Sequence, residues 1–336
     1  MAQDFDDKVV TTVREGMPER FFDRFMLNLH PNTATIPALI VGAGHYPPRD
    51  VADGFVVVST ETEQRNLRFS TELSRTDGTS LGPLRWEVVQ DNTEWRLQLG
   101  PNRTGLELDV TWRARAPYWR GTVEVGNAND EATSFDHLFQ PGRYEGTLSL
   151  DGATHDVSGW YGTRDRSRGV RTMSGGQGLH IWYQAHFADR SVGFLLVEDR
   201  AGGRILLDGG VMHEDGRFDD VTDVSHRLAF TDTNDLKSGR VEVTTASGEL
   251  YSIDADGSAG GGYMAGGGYG GHHGKVRGPD HEEYDTYPLD GSTNARTLDS
   301  ALTDRCCSFS WDGQSGYGIF EYALSRSSSF EYTPTM

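Results

Sequence analysis

Three short stretches carry side chains that could move protons. Residues 159–171 read GWYGTRDRSRGVR, in which Arg164, Asp165, Arg166, Arg168 and Arg171 crowd behind the aromatic pair Trp160 and Tyr161. Residues 179–187 read LHIWYQAHF, and residues 317–322 read YGIFEY. Successive side chains of an extended segment point to opposite faces. LHIWYQAHF therefore presents Ile181, Tyr183, Ala185 and Phe187 on a core-like face, and His180, Trp182, Gln184 and His186 on the other. Imidazole, indole and amide together suit the wall of a moderately polar cavity. The same alternation puts Glu321 on the face of Ile319. If that face is interior, desolvation raises the pKa of Glu321 and makes it a usable acid. Asp136 and His137, in SFDHLFQPGRYEG, form a second acid and base set.

The arginine-rich stretch has two readings. As structure, it is a charge-paired turn joining two domains, its guanidiniums bonding carbonyls and carboxylates. As function, it is a positive rim that orients the polar head of an otherwise greasy ligand. Arginines this close favour the ionised form of a neighbouring carboxylate such as Asp165.

Other chemistries lack their residues. His180 and His186 lie ~20 Å apart along a strand at ~3.3 Å per residue, too far to chelate one ion. HExxH and Cys/His spacings are absent, as are a GxSxG elbow and a phosphate-binding GxxxxGK[ST] loop, so no metal and no cofactor are expected.

The elements that must position these residues read as strands. After residue 50, short alternating runs such as LRWEVV, EWRLQLG, GLELDVTW, GTLSLDG, VGFLLVED and GRVEVTTASGELYSI recur between Gly, Asp and Asn turns. They are too many for one small sandwich, and closed sheets that leave few edges exposed are the natural solution. The segment Met17–Leu29 has Phe21, Phe22, Phe25, Met26 and Leu29 at helical spacing and predicts a short N-terminal helix. Glycine is dense over Asp254–Gly274, which favours neither a packed strand nor a helix. That tract reads as a long connecting loop or as a lid over a cavity.

Composition narrows the partners. Fifty acidic against 31 basic residues give a formal net charge of -19 over 336 residues, which repels nucleic acid. No run approaches the ~18 apolar residues of a membrane span, and the start has no apolar signal core. Cys306 and Cys307 are adjacent and ill-suited to bridge each other. A soluble protein of the reducing cytoplasm is expected, its oligomeric state left open.

Taken together, GPLRWEVVQDNTEWRLQL with GLELDVTWRARAP, then QPGRYEGTLSLDGATHDVSGWYGTRDRSRGVR, then WDGQSGYGIFEY resemble the double-lipocalin proteins. That group is related to carotenoid hydratase (hydroxyneurosporene synthase), kievitone hydratase and the lipocalin-type Diels-Alderases. The most specific piece is the aromatic pair ahead of an RDHSWG-like element. Arg164, Asp165, Ser167, Gly169 and Arg171 match it, whereas Arg166 and Arg168 replace its His and Trp, so no histidine acid carries over there. The resemblance spans roughly Gly82 to Tyr322.

It implies an all-β fold of two tandem lipocalin-like (calycin) antiparallel barrels or half-barrels, with a ligand cavity between or inside them. The expected division is 1–165 and 166–336, the second part holding the Gly-rich loop 254–274. The implied activity is a cofactor-free hydratase or lyase acting on a hydrophobic isoprenoid-like or polycyclic molecule. An alkene is protonated by Glu321 or Asp165, aromatic faces shelter the cation, and His137 or His180 directs water. Trp160, Tyr161, Arg164, Arg168, Arg171, Trp182, Tyr183, Gln184 and Tyr322 are the expected ligand-binding residues. A cyclase or isomerase on the same cavity, a non-catalytic carrier, and a carbohydrate-active enzyme with two cooperating carboxylates are the alternatives.

Overall fold

The computed structural model describes residues 7–33, 38–125, 133–171, 177–269, 271–298, 302–327, 330–333 and 335. The protein is all-β, with a closed eight-strand barrel and a half-barrel, both antiparallel. The half-barrel is a 13-stranded sheet, with Phe21–Leu29 at its middle between Ala38–Tyr46 and Tyr161–Val170. Next to Tyr161–Val170 runs the long strand Thr133–Leu150, from which the outer strands fan away. The barrel runs from Gln177 to Leu324 and closes where Leu250–Asp256 pairs with Thr303–Trp311.

Strands change sheet between Val170 and Gln177, so the expected boundary after residue 165 falls within Tyr161–Val170, a half-barrel strand. One later strand, His281–Pro288, returns to the edge of the half-barrel against Glu63–Glu72.

Burial explains which strands were easy to read. Leu106–Ala114, LELDVTWRA, alternates buried and exposed residues because one face meets water. Ala38–Tyr46 and Val51–Ser59 are buried at every position, so their sequence shows no alternation. The same cause overturns the expected N-terminal helix. Phe21–Leu29 is a strand: Phe25, Leu27 and Leu29 enter the half-barrel core, while Phe22 and Met26 join a layer of side chains between the two sheets. Apolar residues on both faces imitated a helical stripe.

Each half is filled with side chains. Trp95, Trp112 and Leu67 pack the half-barrel, and Tyr183, Phe194 and Phe320 pack the barrel. A third apolar layer, with Trp119, Phe139, Trp182, Met212 and Ile319, lies between them. Cys306 and Cys307 are buried and unbridged. Among the described residues, no helix is long and apolar enough to cross a membrane.

Candidate functional site

Strand alternation sorts the charged residues. On Tyr161–Val170, Arg164 and Arg166 turn into the half-barrel, where Arg164 pairs with Asp7 and Arg166 pairs with Asp23 at 2.8 Å. All four side chains are fully buried. The stretch is thus a strand rather than a turn between domains. Asp165 alternates to the opposite face, where His137 of the neighbouring strand meets it at 2.6 Å. Asp136, beside His137 in sequence, points away and accepts a hydrogen bond from Thr122 at 3.0 Å.

The barrel supplies the other half. Asp304 and Glu321 face each other across paired strands, and Glu321 is also opposite Trp182. His180 Nε2 lies 3.2 Å from Glu321 Oε1. Burial pushes Glu321 up to about 7, with the Asp165 charge adding to it and contact with Asp304, Arg171 and Arg24 opposing it. Burial, then the Glu321 charge, holds Asp304 well above the usual carboxylate range. Among the described residues, neither Asp304 oxygen meets an N–H or hydroxyl donor. Two carboxyls so placed stay together by sharing a proton. Burial, the Arg171 charge and His137 push His180 down to about 3, so its imidazole is neutral near pH 7.

Between the two sheets lies a cavity of about 650 Å³. The half-barrel side contributes Phe22, Arg24, Phe135 and Arg171, the barrel contributes His180, Leu195, Val197 and Leu206, and Tyr269 and His273 complete the lining. Tyr269 and His273 come from the glycine tract, which is neither strand throughout nor a free loop. Gln64 pins it, accepting from Tyr263 N at 2.6 Å and donating to Tyr263 O at 2.8 Å. Asp53 accepts from Gly274 N at 2.6 Å. At Gly266 a Cβ would sit 1.9 Å from Asn66 Oδ1, so glycine is what permits this close approach.

Of the four expected catalytic residues, His137 meets Asp165 and His180 meets Glu321, the two pairs lie within electrostatic reach of each other, and only His180 lines the cavity. Of the expected ligand contacts, Arg171 lines the cavity, as does His180. Arg164 is sealed in the half-barrel, and Arg168 is half-buried opposite Asp23 and Asp136. Trp160 packs on the half-barrel core. Tyr161 lies beneath Arg115, whose guanidinium is 4.7 Å from its ring centre. Trp182 is buried in the layer between the sheets, and Gln184 is buried beside Thr163. Tyr183 stacks on Phe194 at 4.8 Å inside the barrel. The Tyr322 hydroxyl donates to Asn234 O at 2.7 Å and accepts from Leu236 N at 2.9 Å.

Arg24, Asp304 and Tyr269 were not singled out from sequence. Arg24 lay in the segment read as a helix. The signal for Asp304 was the alternating CCSFSW that follows it, which predicts a strand placing Asp304, Cys306 and Ser308 on one face.

Among the described residues, no group of three or more His, Cys, Asp or Glu side chains is placed to hold a metal ion.

Comparison with solved structures shows the double-lipocalin fold. A candidate AttH from Nitrosomonas europaea superposes with a TM-score of 0.58 at 13% identity, covering 94% of this chain and 100% of that one. Kievitone hydratase from Nectria haematococca gives a TM-score of 0.49 at 11% identity, over 94% of this chain and 93% of its own. CghA gives 0.45 at 9% identity, over 94% and 89%. At these identities the likeness is one of fold. No curated protein sequence matches. Residues 8–330 match DUF8625, a family of unknown function, and the chain belongs to that family.

Proposed function

We propose that the protein is a hydratase or lyase that needs no cofactor and adds water to, or removes it from, a hydrophobic isoprenoid-like or polycyclic molecule held in the cavity between the sheets. The observation that carries this reading is the Glu321 carboxyl, shifted to about 7 and hydrogen-bonded to His180, whose ring lines the cavity. A general acid works best with a pKa near the operating pH, and this pair has one. In the hydration direction the proton of the Asp304 and Glu321 pair passes through His180 to a carbon of the ligand double bond. Water adds to the neighbouring carbon, and its released proton travels through further water to the His137 and Asp165 pair, which does not itself line the cavity. Return of that proton to Glu321 restores the starting state. Elimination runs the same steps backward.

The packed interiors of both halves favour the cavity between them as the place for this chemistry. Trp182, Tyr183 and Trp160 do not line that cavity, so sheltering of a cation by these rings drops out of the mechanism.

The test is incubation of the purified chain with an extract of its own host in ¹⁸O water, followed by mass spectrometry. A metabolite pair differing by one water, with heavy oxygen in the hydrated member, is expected from the wild type and not from Glu321→Gln. Ligand recovered unchanged, or equal labelling by both proteins, would make the chain a carrier.

A further inference from the structure

The chain carries 50 acidic and 31 basic residues, yet among the described residues four arginines and no aspartate or glutamate line the cavity. Arg20 has a partner, and Arg49 is occupied, donating to Gly274 O at 3.1 Å. Arg24 and Arg171 differ. Among the described residues neither makes a hydrogen bond or an ion pair; each rests on aromatic faces. Arg24 lies 5.5 Å from the Phe22 ring centre and 5.0 Å from that of Tyr269. Arg171 lies 5.8 Å from the Phe22 ring and 4.2 Å from the Phe135 ring. The two guanidiniums thus share one phenyl ring on one cavity wall.

The carboxylates around them are engaged elsewhere. Asp165 is held by His137 at 2.6 Å, Asp53 by Gly274 N at 2.6 Å, and Glu321 by Asp304 and His180. The remaining ionisable neighbours, Tyr46, Tyr269 and His273, are uncharged near neutral pH, since burial raises the phenols and lowers the imidazole. Asp53 and Asp165 attract Arg24 from a distance, whereas burial and the Arg24 charge disfavour the charge on Arg171, and neither guanidinium has an acceptor at hydrogen-bond distance among the described residues; two like charges so placed favour an anion between them.

We infer that the ligand carries a delocalised oxygen anion, a carboxylate or an acidic enolate, bound between Arg24 and Arg171, with its apolar body against Phe135, Leu195 and Val197. This inference rests on the reading of the cavity as the ligand site and adds the substrate class. Guanidinium donors match a two-oxygen anion in charge and geometry. The same pair opposes positive charge on the ligand, so with such a substrate water attack precedes or accompanies proton delivery from Glu321 through His180, and the charge that builds is negative, on the conjugated oxygen.

The test uses two fluorescent probes with one body, 1-anilinonaphthalene-8-sulfonate and its uncharged analogue N-phenyl-1-naphthylamine, titrated into the full chain, with decanoate and decanol as competitors. The sulfonate should bind at least about tenfold more tightly, equivalent to about 1.4 kcal/mol. Decanoate should displace it and decanol should not. Arg24→Gln and Arg171→Gln should abolish the preference, and Arg24→Lys and Arg171→Lys should keep part of it, all four melting as cooperatively as wild type. Should a Gln variant fail to fold, the wild-type comparison of probes and competitors decides alone. Equal binding of the two probes, a preference surviving both Gln variants, or displacement by decanol as readily as by decanoate overturns the inference. Failure of both probes to bind overturns it together with the proposed function. Anion preference with heavy-oxygen labelling unaffected in Glu321→Gln sinks only the hydratase reading.

Discussion

Asp304 and Glu321 are direct cross-strand neighbours, 2% and 6% exposed, on the barrel wall that faces the half-barrel. Opposed like charges at such a position destabilise a sheet, so one proton between them is part of the fold. A carboxyl raised in the folded state stabilises below its unfolded pKa and loses that contribution as pH rises through the folded one. For Glu321 the window runs from 4.5 up through about 7. The wild type should therefore lose melting temperature relative to the double variant Asp304→Asn, Glu321→Gln across that window. Parallel thermal melts at several pH values check it, and superimposable pH dependences would refute it.

Arg166 and Asp23 make the opposite case, a fully buried pair of opposite sign. Arg166 donates to Asp23 through Nε at 3.0 Å and Nη2 at 2.8 Å, and Asp23 also accepts from Val10 N at 2.9 Å. Removing one partner leaves a buried charge, so Asp23→Ala should lower stability by about 3–5 kcal/mol. Replacing both, Asp23→Leu with Arg166→Met, should recover most of the loss. Urea unfolding of the three proteins gives the comparison.

How much of this was legible in sequence follows from burial. Strands with one wet face, such as Leu106–Ala114, announce themselves by alternation, and the two faces of Gln177–His186 separate in sequence because one of them is plain core. Phe21–Leu29 misled because both of its faces are covered, and with it Arg24 was lost. The doublet of ion pairs at Arg164 and Arg166 was opaque for another reason. Their partners, Asp7 and Asp23, lie about 140 residues or more away in the chain, and only the strand pairing brings them together. The contacts of His137 with Asp165 and of His180 with Glu321 are likewise products of strand pairing within each sheet.

His30 and His186 stack at 6.0 Å across the junction of the two halves. Burial pushes His30 down to about 4 from 6.5 and His186 well below its usual value. Imidazoles lowered in this way stabilise the fold above 6.5, and the contribution fades as pH falls toward 4. Acid should thus loosen the junction first. Hydrogen exchange of the Gln177–His186 and Phe21–Leu29 strands should rise over that range in wild type, and less in His30→Gln with His186→Gln. Equal acid sensitivity of the two proteins would count against this role.

Tyr322 and Glu321 are consecutive residues pointing to opposite sides of one barrel wall, which gives an internal control for catalysis. Glu321 faces the layer between the sheets, where His180 connects it to the cavity, while the Tyr322 hydroxyl is tied to Asn234 O and Leu236 N inside the barrel. Loss of a positioned general acid typically lowers rate by about 10²–10⁴. Loss of a buried hydroxyl that leaves its partners unpaired costs about 1–3 kcal/mol of stability. Glu321→Gln should therefore reduce conversion of the metabolite pair about a hundredfold or more and still fold cooperatively. His180→Ala should be slowed comparably, since it stands between Glu321 and the ligand. Tyr322→Phe should melt at a lower temperature and turn over at the wild-type rate below its melt. A rate loss in Tyr322→Phe equal to that in Glu321→Gln would mean that the barrel wall acts as a whole, and that the acid has no special place in it.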